Sequence, residues 1–390
     1  MAAVCLYFQI HQPFRLRRYS VFDTDRHYFD DLKNGEIIRK IATKCYLPTN
    51  KIILDAIHRH KGNFRVSYSI SGAALEQLQQ YAPEVIESFQ QLNHTGCVEF
   101  LAETYYHSLA FLFNRDEFRD QVKMHTDLIR RLFAQEPRVF RHTELIYNND
   151  LALYVSHLGF QGMLAEGVDQ ILGSRSNAVL YRPPGASRLK VLLRNHQLSD
   201  AISFRFSNKS WEHYPLTVDK FLGFVKKIGG NDQLCNLFMD YETFGEHQWA
   251  DSGIFEFLSQ LPDALLKDSA NIFLTPGQVI SQHNAAADLD VPHMTSWADT
   301  ERDLTAWLGN AMQTNSLQEL YKLEQAIKVR NDEQLLMDWR QLTSSDHFYY
   351  MCTKYWADGD VHKYFSPYES PYDSYINFMN VLDNVRIRLR

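Results

Sequence analysis

Two acidic residues stand just past apolar runs: Glu144 follows the stretch VFRHT, and Asp240 closes LCNLFMD at 234–240. Carboxylates carried by two different strands are the smallest apparatus that can cleave a glycosidic bond. One attacks or stabilises the sugar cation while the other protonates the departing oxygen. A separation of about 5 to 5.5 Å goes with retention and roughly 6.5 to 9.5 Å with inversion, and spacing in the sequence does not choose between them. Strand-end carboxylates also serve as helix N-caps and surface ion partners, so spacing alone leaves those roles open too. Other polar residues fall at similar junctions: His11 and Gln12 after the first apolar run, Glu99 and Glu103 on or after CVEFL, Glu242 just beyond Asp240, and the segment TSWADTERDLTAWLGNAMQ at 295–313.

Catalytic groups in this position need strands that all point the same way, and the chain has them in outline. From residue 3 to about 280, short β-rich runs alternate with segments of helical period, the pattern of repeated βα units. The strands are expected at 3–10, 64–70, 97–101, 138–141, 161–165, 201–206, 234–240 and 271–275. The helices are expected at 49–60, 72–92, 116–134, 149–158, 217–228 and 252–260, with Ser71 and Asn149 as caps. Near-continuous apolar strands fit burial on both faces, and seven or eight of them close most naturally into a barrel; an open doubly wound sheet is the other solution. Past about 285 the patterns at 300–314, 316–340 and 370–387 are helical. Two units follow, a barrel over 1–285 and an α-helical part over 286–390 that completes the cleft.

Composition narrows the function classes. In 390 residues, 45% are hydrophobic and 22% charged, an ordinary globular balance, and the net charge of −7 with no basic run argues against nucleic-acid partners. Five scattered cysteines, Cys5, Cys45, Cys97, Cys235 and Cys352, match neither a disulfide framework nor a zinc site. The apolar start MAAVCLYFQI lacks a basic n-region and runs straight into His-Gln-Pro, so it reads as a buried strand; no stretch reaches the length of a membrane helix. A cytoplasmic protein with no membrane partner is the expectation.

The text around these residues resembles glycoside hydrolase family 57. Five stretches carry the resemblance, in order: FQIHQP at 8–13, GCVEFLAETYYHSL at 96–109, VFRHTELIYNND at 139–150, FMDYETFGEHQW at 238–249 and SWADTERDLTAWLGNAMQ at 296–313. The tail at 344–375 is similar to the helical end of the family's α-amylase and amylase-like branch. The resemblance implies an α/β fold, an incomplete (β/α)7 barrel followed by an α-helical C-terminal domain. It implies a retaining α-amylase-like reaction on α-glucan or maltooligosaccharides, with no required metal or cofactor. By the motifs, Glu144 is the nucleophile and Asp240 the proton donor. One departure stands out, because the amylase-like members often have Asn where this chain has His142, whose ring could touch the substrate or tune Glu144.

Substrate contacts are expected from His11, Gln12, Glu99, His142, Glu242, Trp249, Trp297 and Asp303. Imidazole and amide groups suit vicinal hydroxyls, and flat rings suit the C–H faces of sugars. For Glu99 and Asp303, structural roles explain the residue types equally well; most aromatics belong to cores, and only Trp249 and Trp297 stand out as stacking candidates. A 4-α-glucanotransferase and a glucan-binding protein without catalysis are the neighbouring readings, and a branching enzyme fits less well because it resembles longer chains. A metal-dependent polysaccharide deacetylase would need His11, His107 and His247 to gather around one ion.

Overall fold

Strand β1, Ala2–Ile10, alternates between two buried faces, which is why its sequence is apolar but for Gln9 near its end. Val4, Leu6, Phe8 and Ile10 point outward into the core under the helices. Ala3, Cys5 and Tyr7 point inward and meet Leu101, Val139, Leu164, Leu192, Leu234 and Phe238 from other strands. Burying one such side chain contributes roughly 1.5–3 kcal/mol, so two cores sharing one sheet fix strand register firmly. The computed structural model describes residues 2–186, 188–228, 233–354 and 366–389.

Six further parallel strands complete the ring: β2 Val66–Ile70, β3 Val98–Phe100, β4 Val139–Arg141, β5 Gly162–Glu166, β6 Lys190–Arg194 and β7 Gln233–Asp240. β3, β2, β1 and β7 form one continuous ladder, and β4, β5 and β6 lie in another. Two narrow seams join them. Ala102 N–H donates to the Val139 carbonyl at 3.0 Å, and Arg141 N–H donates to the Ala102 carbonyl at 2.8 Å. Opposite, Asn195 N–H donates to the Asn236 carbonyl at 2.9 Å, and the Asn236 amide donates to the Leu193 carbonyl, also at 2.9 Å. The architecture is the α/β, incomplete (β/α)7 barrel followed by a helical C-terminal region, not the open sheet.

Most expected elements are present with shifted ends. The 72–92 helix is two, Gly72–Tyr81 and Pro83–His94, because Pro83 starts a new helix. Ser71 caps the first of them. The cap at the next site is Asn148 instead of Asn149, whose side chain donates to Asp290. The expected strand at 201–206 is absent; Asn195 accepts from the Leu198 N–H and starts a helix, His196–Ser203, that takes up its first half, and turns follow. The strand is Lys190–Arg194 instead, masked in the sequence by its charged ends. Only Ile272–Phe273 of the 271–275 run forms a strand, a short one beside β1. The sequence patterns also missed helix Asp31–Ile41.

Helices Ala311–Lys322, Glu324–Arg330, Glu333–Gln341, Ser345–Tyr349 and Pro371–Arg388 follow the barrel. Their apolar faces share one core with Phe118, Phe140 and Met163. Part of the expected tail, 355–365, lies outside the described residues. All five cysteines are buried and unpaired. No helix among the described residues is long and apolar enough to cross a membrane.

Candidate active site

The inward positions of the strands change from apolar to polar at one level. On β1, Tyr7 gives way to Gln9; on β4, Val139 to Arg141; on β6, Leu192 to Arg194; and on β7, Phe238 to Asp240. Tyr7 and Phe238 meet edge to face at 5.5 Å and form the floor, and the next residues up, Gln9 and Asp240, are register partners. Above them opens a cleft of about 830 Å³ at the C-terminal mouth of the barrel. Among its walls are Gln9, His11, Gln12, His107, Arg141, Glu144, Arg194, Asp240, Glu242, Trp297, Asp346 and Tyr349.

Glu144 stands just past β4 in the left-handed conformation, φ 57° and ψ 28°. A non-glycine residue held there carries on the order of 1–3 kcal/mol of strain, which the surroundings must impose. They do so on both sides: Leu145 N–H donates to the His142 carbonyl at 3.0 Å, and the Glu144 carbonyl accepts from Trp297 N–H at 3.1 Å. The side chain is held as firmly, with His107 Nε2 at 3.1 Å from Oε1 and the Trp297 indole N–H donating to Oε2 at 2.7 Å.

Behind His107, its Nδ1 lies 3.0 Å from Glu103 Oε2, and its ring stacks on His11 at 4.1 Å. His11 Nδ1 in turn meets Ser71 Oγ at 2.7 Å and its Nε2 meets Asp346 Oδ2 at 2.8 Å. Burial disfavours the charged form of His107, but Glu103 and Glu144 outweigh it and raise the pKa to about 9. Burial also works against ionised Glu103, yet the bond and charge of His107 bring it down to about 2. For Glu144 the same opposition of burial against His107, Arg141 and Trp297 leaves the carboxyl below its ordinary value.

Asp240 goes the other way. Burial, then the Glu144 charge, lift it to about 6 against Arg141, His107 and Arg194. Glu242 is lifted further, to about 8, by burial and by Asp240; it accepts from the Tyr46 hydroxyl and, at 3.3 Å, from the Gln12 amide. The cleft therefore holds one carboxylate kept ionised and, in Asp240, one acid that keeps its proton up to about pH 6, the split that acid/base catalysis needs.

The fold brings together Glu144, Asp240, His11, Gln12, Glu242 and Trp297. It does not bring the other candidates to the cleft. His142 is fully buried against Phe118, Phe111 and Phe140, because the strand-end backbone turns it outward. Glu99 points into the barrel lower down and accepts from Gly277 N–H at 2.7 Å. Trp249 is 63% exposed with Lys44 over its ring, and Asp303 accepts from Thr305 N–H at 2.8 Å.

Among the described residues no three His, Cys, Asp or Glu side chains converge as a metal-ligand group. Sequence reasoning missed Arg141, Arg194 and Asp346. Arg141 followed the same rule that found Glu144, a polar residue ending an apolar run; Arg194 went with the misplaced strand; and Asp346 sits in a helix whose place against β1 no local pattern reveals.

The profile of "Glycosyl hydrolase family 57" matches residues 5–292. The chain belongs to glycoside hydrolase family 57. It is 40% identical over 389 residues, 96% of this chain and 82% of the relative, to a Methanocaldococcus jannaschii protein bearing the provisional name alpha-amylase. A Pyrococcus horikoshii protein named alpha-amylase is 23% identical over half of the chain and 30% of that protein. The fold is similar to that of the Thermococcus litoralis 4-alpha-glucanotransferase, TM-score 0.74 at 13% identity, covering all of this chain and 60% of the transferase. It is also similar to that of the Thermotoga maritima alpha-amylase AmyC, TM-score 0.66 at 13% identity, covering 93% of that chain. The family 57 membership makes this protein a glycoside hydrolase.

Proposed function

We propose that this family 57 enzyme is a retaining hydrolase of α-1,4-glucans or maltooligosaccharides, with Glu144 as nucleophile and Asp240 as acid/base. What carries the reading is the pair itself: two carboxyl groups from two strands of the ring, β4 and β7, lining one cleft, with acidities pushed in opposite directions. In the first step a Glu144 oxygen bonds to the sugar C1 as the C1–O bond to the leaving sugar breaks, and the Asp240 proton passes to that oxygen. In the second, water bonds to C1 as the Glu144–C1 bond breaks, and the water proton goes to Asp240. The enzyme ends as it began.

His11, Gln12, Glu242 and Trp297 are the proposed sugar contacts. A barrel over 1–285 and a helical part over 286–390 are the proposed division of labour, the second supplying Trp297 and Asp346. The relatives' names, alpha-amylase and 4-alpha-glucanotransferase, support an α-glucan substrate, and the two activities differ only in whether water or a sugar hydroxyl opens the ester.

Incubation with maltoheptaose, with products followed by chromatography and their anomers by NMR, tests the reading. Shorter α-anomers are the expected result; longer oligomers alongside them would make it a transferase. Initial β-anomers, or full turnover by Glu144→Gln, would overturn the retaining assignment.

A further inference from the structure

Arg141 is fully buried, yet Nε, Nη1 and Nη2 have no hydrogen-bond partner among the described residues. A buried guanidinium left unpaired is expensive and needs a reason. Its place supplies one. It ends β4 on the inward side, lines the cleft, and lies under the Trp297 ring at 4.9 Å, with Arg194 over the same ring at 5.6 Å. The titratable groups that feel its charge come from β1, β7 and the ends of β3 and β4: Tyr7, Glu103, His142, Glu144 and Asp240. Glu103 is already matched by His107. The charge of Arg141 is left for the catalytic pair.

We propose that Arg141 is a positioning residue of the reaction, a fixed counter-charge that serves Glu144 in the free enzyme and Asp240 once Glu144 is esterified. The inference rests on the retaining mechanism above. When Glu144 bonds to C1 its negative charge disappears, and with it the repulsion that favoured protonated Asp240. Arg141 remains cationic, and the cleft carboxyl next able to answer that charge is Asp240, which has just given its proton to the leaving group; the cation holds it as the carboxylate that serves as base for water. The free enzyme needs Glu144 ionised and the ester needs Asp240 ionised; one immobile cation whose charge reaches both groups supports each carboxylate in turn.

An α-maltosyl fluoride substrate, whose leaving group needs little acid help, isolates the second step. Arg141→Gln is expected to lower kcat by about 10²-fold, in the range of one proton-transfer group, and to lower KM in parallel because the ester accumulates. Rapid quench and mass spectrometry then find a maltosyl adduct on Glu144. Azide, which bonds to C1 without a proton to lose, restores turnover and yields maltosyl azide. Arg141→Lys keeps the charge and is expected to stay within about tenfold of wild type with no adduct.

A fall in kcat with unchanged KM, no adduct and no azide rescue overturns the inference, as does a lysine variant that accumulates ester as the glutamine variant should. If Arg141→Gln does not fold, as judged by circular dichroism, the lysine variant decides alone. Failure of the retaining reading looks different: in that case neither wild type nor Asp240→Asn yields an adduct on Glu144 with the fluoride.

Discussion

The indole N–H of Trp297 reaches across 153 residues of sequence to donate to Glu144 Oε2 at 2.7 Å. The residue expected to offer its ring face to sugar thus offers its edge to the carboxylate, and its ring face to Arg141 and Arg194. Cations over an indole ring add about 0.5–2 kcal/mol of attraction and fix its plane. Trp297→Phe separates the two roles, since it keeps an aromatic face and removes the donor. We expect kcat to fall roughly tenfold, the worth of one hydrogen bond to a charged group, and the acid limb of the pH profile to move up. A change confined to KM would leave Trp297 as a sugar contact alone.

Asp240 acts as an acid only while protonated, so kcat/KM on maltooligosaccharides should fall as pH rises through about 6. Asp240→Asn should lower turnover of unactivated substrate by about 10²–10⁴-fold and turnover of the glycosyl fluoride far less. The same group has a stability signature. Its folded pKa lies above its unfolded value, so its contribution is fully present below about 3.8 and lost as pH rises through about 6. The asparagine variant should therefore be more stable than wild type at pH 7 by on the order of 2 kcal/mol, measured by denaturant unfolding.

His107 bridges Glu103 and Glu144, and its folded pKa is raised to about 9. Its stabilisation is present below the unfolded value of about 6.5 and lost as pH rises through 9. The melting temperature of wild type should decline over that window. His107→Gln, which leaves the Glu103 carboxylate buried without its cation, should cost about 3–5 kcal/mol at pH 7 and flatten the decline. A pH-independent melting curve in wild type would refute this.

His142 has no route to substrate, so His142→Phe should leave KM for maltoheptaose unchanged within a factor of two. Its ring is held neutral by burial, with a folded pKa near 3, so wild type loses stability as pH falls below about 6.5. The phenylalanine variant should escape about 2 kcal/mol of that loss at pH 5, read from urea titrations at pH 5 and 7. A KM raised tenfold would instead place the ring in the cleft.

Much of this was legible in the residues because it obeyed a local rule. β1 and β7 announce themselves by long apolar runs, and the carboxylates Glu144 and Asp240 by their place at the ends of such runs. What stayed hidden depends on facing directions. That Arg141 turns inward while His142 turns outward follows from period-two alternation only once the bounds of the strand and its inward face are known. The charged ends of Lys190–Arg194 disguised a strand buried on both faces, and its neighbour AISFRF offered a false one. Contacts such as His11 with Asp346, 335 residues apart, lie beyond any local pattern.

That last contact has a practical side. The stretch recognisable by profile ends at residue 292, and a gene cut there would still encode Glu144, Asp240, Arg141 and every strand of the ring. It would lack Trp297, which grips Glu144, and Asp346, which anchors His11. Laboratory trimming of this enzyme to its recognisable portion should yield both acids without the clamps that aim them.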